Sequence, residues 1–128
     1  MHEAPAGRFC WVDLAATDAS RAIDFYSGLF GWSAATQQAN GGSFVRLSQD
    51  GRDVGSLYQL QRAAQEAGVI SHWTPYVRVE DAGAACARSV ELGGRVAVAP
   101  FDVEGVARIA VIVDPVGASF GIWERIPA

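Results

Sequence analysis

Two tryptophans, an aspartate, a threonine and a tyrosine stand at alternating positions in segments that read as β-strands. Asp13 follows Trp11 by two residues in "CWVDL", Thr74 and Tyr76 are two apart in "HWTPYV", and Trp123 sits in "SFGIW". A period of two puts each pair on one face of its strand. Counting along the later strand "RDVGSLY" adds Asp53 and Leu57 to that face. Large apolar walls with a few polar groups are the composition of a small-molecule pocket. A carboxylate there is costly unless it is solvated or hydrogen-bonded. Asp13 is therefore a ligand's hydrogen-bond acceptor, a general acid or base, an exposed rim residue, or the partner of Arg78, which shares the parity. Tyr76 either donates to a ligand or packs. Trp11 and Trp123 either stack on a flat ligand or fill space left by Gly55 and Gly121.

Other chemistries find no support. The chain has no P-loop, no G-x-G-x-x-G after a strand, no G-x-S-x-G and no paired-cysteine pattern. The glycines of "GLFGW" fall at the wrong end of a helix to cradle phosphate. Cys10 and Cys86 are expected as buried, reduced thiols. A catalytic cysteine would want a histidine, and the chain has two, His2 and His72. The net charge of −4 argues against a nucleic-acid surface. No apolar run is long enough to span a bilayer, and "MHEAPAGRF" lacks the pattern of a signal peptide. A cytoplasmic protein is expected, with neither a nucleic-acid nor a membrane partner.

The elements that position these residues occur twice. "WVDLAATDASRAIDFYSGLFG" and "TPYVRVEDAGAACARSVELGG" align at a constant spacing of 63 residues, matching Asp18 with Asp81, Leu29 with Leu92 and Gly31 with Gly94. Each half opens with a strand, 9–16 and 73–79. Each continues with a helix capped by Asp18 or Asp81 and stopped by Gly31 or Gly93-Gly94. Ala22, Tyr26, Leu29 and Phe30 form the apolar stripe of the first helix, and Ala82, Ala85, Cys86, Ser89 and Val90 a weaker one on the second. Strands follow at 32–38, 43–48 and 52–58, then at 95–99, 106–113 and 118–124. Matching Leu57 with Trp123 widens the spacing to 66 residues near the end of each half. The 128 residues thus form a single domain of two βαβββ modules, 8–58 and 72–126, joined by a linker over 59–71. The expected fold is α+β, a curved mixed sheet with helices on its outer face and a ligand site on its inner one.

This tandem pattern, with "AIDFYSGLFGW" closing the first helix and "DPVGASFGIWE" at the last strand, resembles the vicinal oxygen chelate superfamily of glyoxalases, bleomycin-resistance proteins and extradiol dioxygenases. The resemblance implies divalent-metal ligands, His or Glu, on the first and last strands of each module. Carried onto this sequence, the first-strand positions fall at Trp11 and Thr74, seven residues before the cap aspartates. The last-strand positions fall at Gly55 and Gly121, four residues after the turn glycines. None of these is a usual ligand. A site rebuilt from His72, Asp13 and Asp53 is the alternative. No metal and no cofactor are expected.

The leading expectation is a metal-independent binding protein of the bleomycin-resistance type, holding a small aromatic or apolar ligand against Trp11, Asp13, Leu57, Thr74, Tyr76 and Trp123. The alternative is an enzyme, of lyase, isomerase or dioxygenase-like kind, with Asp13 as acid or base. An interaction protein whose cavity is filled by its own aromatics is a third. The resemblance also implies a homodimer.

Overall fold

The capping chemistry read from the sequence sets the helices of the computed structural model, which describes residues 4–126. His2 lies outside the described residues. Asp18 is extended, and its Oδ1 accepts from the Arg21 N–H at 3.1 Å, opening α1 (Ala19–Phe30). Asp81 does the same for the Ala84 N–H at 2.9 Å, opening α3 (Ala82–Glu91). Each bond satisfies one of the helix's orphan donors. Gly31 ends α1 in the left-handed region, at φ 74°, and its N–H reaches the Ser27 carbonyl.

The strands are β1 (Phe9–Ala16), β2 (Ser33–Ala39), β3 (Gly42–Gln49), β4 (Arg52–Gln59), β5 (His72–Val79), β6 (Arg95–Val103), β7 (Ala107–Val113) and β8 (Ser119–Arg125). Seven fall within two residues of where alternation and turn residues place them, but β6, expected over 95–99, runs on through Pro100 to Val103 because its pairing with β7 resumes beyond two register shifts. The segment between the repeats carries a short helix, α2 (Arg62–Glu66). The class is α+β, with the βαβββ order repeated.

Two compact units emerge: Val12–Thr74, and the described residues up to Trp11 together with Pro75 onward. Their division is not that of the sequence repeat, because the first residues of β1 and β5 each go with the other repeat. The N-terminal segment packs on β5 through Gly7 N–H to Arg78 O at 2.8 Å and Arg78 N–H to Arg8 O at 2.9 Å.

In the Val12–Thr74 unit the strands run β2-β3-β4-β1, antiparallel except where β1 lies parallel to β4. Helix α1 covers one face, closing Leu14, Ala16, Leu47 and Leu57 against Ala22, Ile23 and Tyr26. Leu57 is fully buried there, which contributes roughly 1.5–3 kcal/mol. The stripe expected on α1 is only half used, since Leu29 and Phe30 stay exposed, as does Phe25. Gln59 ties the strand end to the helix start. Its Oε1 accepts from Ala19 N–H at 2.8 Å and its Nε2 donates to Thr17 O at 2.8 Å.

In the other unit the order is β5-β8-β7-β6. Helix α3 covers Ala110, Ile112 and Ile122 with Ala82 and Cys86, while Val90 is exposed. The opposite face carries the second cluster, Cys10, Trp11, Tyr76, Ala107 and Trp123. Both cysteines are free and buried. Burial pushes the Cys10 thiol up to about 11 against the pull of Arg78, so it stays protonated at neutral pH.

Candidate functional site

A one-residue irregularity in β4 decides which side chains meet Asp13. Leu47 pairs with Gly55, but its neighbour Ser48 pairs with Asp53, so Val54 is an extra residue on β4. A bulge of this kind reverses the facing of everything beyond it. Asp53, before the bulge, keeps the expected face, where it forms a two-pronged pair with Arg46 at 2.5 Å for each bond. Leu57, after it, is turned into the helix-covered core instead of standing beside Asp13. The residue brought opposite Asp13 is Ser56. In the second repeat Gly121 stands opposite Tyr76, so the true counterparts are Ser56 with Gly121 and Tyr58 with Trp123. The apolar–aromatic pairs "LY" and "IW" carried that signal in the sequence.

Asp13, Ser56, Tyr58 and His72 form the candidate site, on the face of the Val12–Thr74 unit away from α1. Ser56 Oγ donates to Asp13 Oδ1 at 2.8 Å. Burial raises the Asp13 carboxyl from 3.8 to about 6, opposed by the Ser56 hydrogen bond and by His72. Burial, and then the Asp13 charge, also raises the Tyr58 phenol. His72 Nδ1 lies 2.7 Å from the Ile70 carbonyl. A carbonyl only accepts, so Nδ1 is the donor and Nε2 is left as the edge open to another group. Thr74 has the same parity as His72, whereas Trp73 between them points the other way, its Nε1 donating to Tyr26 OH at 3.2 Å. Strict alternation along β4 does not lead to Ser56 and Tyr58, because the bulge interrupts it; the match of Leu57-Tyr58 with Ile122-Trp123 does.

The tryptophans occupy a different setting. Trp11 and Trp123 are 7% and 8% exposed, with ring centroids 5.7 Å apart, and Tyr76 meets Trp123 edge-on at 5.9 Å. Tyr76 also lies over Gly121, where an added Cβ would overlap its ring and come within 2.8 Å of Cγ. These three aromatics pack on one another and on Cys10 and Ala107. Asp13 takes its hydrogen bond from Ser56, and Arg78 donates to the Ala4 carbonyl at 3.0 Å. A depression of about 520 Å³ beside α2, lined by Leu60, Arg62, Gln65 and Glu66 among others, brings no catalytic set together.

The divalent metal implied by the fold does not fit these residues. Trp11 is buried indole, Thr74 offers one neutral hydroxyl, and the position at Gly121 is covered by the Tyr76 ring. At the last-strand position of the first repeat the bulge substitutes Ser56, whose hydroxyl is committed to Asp13. Among the described residues no three His, Cys, Asp or Glu side chains converge as a metal site would need.

If the Ser56 bond is what holds the Asp13 carboxyl down to about 6, Ser56→Ala should raise it further. Carbonyl-detected NMR titration measures this directly. An unchanged midpoint would mean the hydroxyl does not act on the carboxylate.

Two repeats of βαβββ with mixed strand pairing define an α+β domain of the vicinal oxygen chelate type. More particularly, the family model described as a glyoxalase-like domain matches residues 11–123, and the chain belongs to that family. It is 35% identical over 130 residues to the anthracycline biosynthesis protein DnrV of Streptomyces peucetius, across 93% of this chain and 47% of DnrV. The chain thus spans about half the length of the curated relatives it matches. Among solved structures it resembles methylmalonyl-CoA epimerase from Mycobacterium tuberculosis, with TM-score 0.66 and 19% identity over 98% of this chain and 95% of that one. The Streptomyces coelicolor epimerase in complex with 2-nitronate-propionyl-CoA gives TM-score 0.67 and 17% identity over 96% and 100%. At these identities the likeness is one of fold.

Proposed function

We propose that this domain binds a small molecule without a metal ion, and that Asp13 is the group that recognises it. The observation that carries this reading is the Asp13 carboxyl itself, raised to about 6 by burial and held by a single serine hydroxyl. At neutral pH it is mostly an anion in surroundings that solvate it poorly. A ligand N–H or O–H placed against the free carboxylate oxygen restores what burial removes. Tyr58 and His72 add one aromatic wall and one further hydrogen-bonding edge. The ligand class that fits is a neutral or cationic molecule with flat apolar surface and at least one donor. Kinship with a protein named for anthracycline biosynthesis is in keeping with a small-molecule role. No nucleic-acid or membrane partner belongs to this reading. Among the described residues no helix is long and apolar enough to cross a membrane.

A second reading has its own support. A carboxyl titrating near 6 is suited to proton transfer at neutral pH, where general acid–base catalysis contributes roughly 10²–10⁴-fold. Asp13 would then be the acid or base of a lyase or isomerase step.

Asp13→Asn separates the two. Aromatic amines and phenols screened by thermal shift at pH 7 should yield binders, and the variant should weaken them about tenfold, the worth of one charge-assisted bond. Binders whose affinity ignores the substitution would remove Asp13 from recognition. Turnover that disappears while binding persists would favour the enzyme.

A further inference from the structure

Arg78, on β5, is half-buried, and its guanidinium is only partly used. Nη1 donates to the Ala4 carbonyl at 3.0 Å. Nε is buried without a hydrogen-bond partner, which is true of no other buried side-chain nitrogen or oxygen among the described residues. Folded proteins rarely leave such a donor unmet. Arg46 and Arg108 show how the same edge is filled elsewhere in this chain. Each turns Nε and Nη2 together onto the two oxygens of an aspartate, Asp53 and Asp102. Among the described residues no ion pair includes Arg78.

The segment from Ala4 to Arg8 runs along this arginine. Its Gly7 N–H and Arg8 carbonyl bond to the Arg78 backbone, and a turn closes from Arg8 N–H to the Pro5 carbonyl at 3.2 Å. Ala4 then reaches the far end of the side chain. Residues 5–8 are exposed, whereas Ala4 is part-buried and packs on the cluster of Cys10, Trp11, Tyr76 and Trp123. Ala4 thus touches both the guanidinium and the aromatic cluster, through one bond to a neutral carbonyl and one methyl group. That is a weak hold.

We propose that Arg78 is a carboxylate-binding site capped by Ala4. A flat apolar carboxylate displaces Ala4, sets its two oxygens on Nε and Nη2, and lays its apolar body where the Ala4 methyl packs. Gly7, in the left-handed region at φ 87°, stays on the Arg78 carbonyl and serves as the pivot. A planar carboxylate matches the fork of a guanidinium and carries the single charge that one arginine balances. The site does not depend on Asp13, an acid that repels such a ligand.

Proton–nitrogen NMR of the arginine Nε–H groups supplies the test, with 2-naphthoate as the probe and 2-naphthamide as its neutral control. Naphthoate should move one Nε–H resonance downfield, a resonance absent from Arg78→Lys, and naphthamide should leave it in place. Lysine keeps the charge without the fork, so Arg78→Lys should weaken naphthoate, followed by tryptophan fluorescence, by at least about tenfold. Ala4→Gly removes the methyl group that the ligand displaces and should tighten binding roughly twofold to fourfold. Arg108→Lys should change nothing. Naphthoate that moves no Nε–H resonance overturns the site, as does naphthamide that binds equally well or a folded Arg78→Lys of native affinity. Should Arg78→Lys fail to fold, Ala4→Gly decides, and an affinity no tighter than that of the native sequence overturns the cap. None of these results bears on the Asp13 reading, whose ligands carry donors and no anion.

Discussion

Gly121→Ala is expected to be among the most damaging single-methyl changes in this protein, costing on the order of 2–3 kcal/mol. The added Cβ would overlap Cδ2 and Cε2 of Tyr76, and that ring has nowhere to retreat. It is buried against Trp123, which is in turn packed on Trp11. Overpacking in such a site moves several rings or the β5–β8 pairing that holds Tyr76 opposite Gly121. For a chain of this size the midpoint of thermal unfolding should fall by roughly 10 °C. A double-mutant cycle identifies the cause. In a Tyr76→Ala background, already weakened by its own cavity, the further cost of Gly121→Ala should largely vanish. Equal costs in both backgrounds would show that the backbone at 121, rather than the ring above it, makes the demand.

Asp13→Asn should act in the opposite direction and stabilise the protein at neutral pH. Burial raises the folded-state carboxyl from 3.8 to about 6, so the folded chain holds this proton more tightly than the unfolded chain does. The resulting stabilisation is complete below pH 4 and is lost as pH rises through about 6. Each pH unit in that window is worth about 1.36 kcal/mol, which gives a decline on the order of 2–3 kcal/mol between acid and neutral conditions. Asparagine cannot ionise and can still accept from Ser56. Its urea-unfolding free energy should therefore lack this decline and exceed the native value by roughly 2 kcal/mol at pH 7. Parallel pH profiles for the two proteins would refute the raised carboxyl. A buried carboxylate that weakens the fold at neutral pH is the kind of local conflict that functional sites retain.

Residue type and local spacing fix some of these features, and contacts between distant strands fix the others. Asp18 and Asp81 cap the helices as their residue types require, because a short carboxylate beside orphan N–H groups is a local matter. The face of Asp13 was legible for the same reason, since β1 is regular and a period of two is enough. The aromatic set Trp11, Tyr76 and Trp123 was legible as a group. Whether those rings stand open to a ligand or close on each other depends on distances between strands far apart in sequence. They close, at 5.7 and 5.9 Å.

What the sequence determined by itself was the repeat: two capped helices and eight strands in the order βαβββ, twice. These follow from side-chain type and short-range spacing. What only the tertiary structure decided was the company Asp13 keeps. One extra residue at Val54 turns Leu57 inward and brings Ser56 to the carboxylate. A bulge is set by how two strands fit across their hydrogen bonds, and spacing along a single strand carries no record of it.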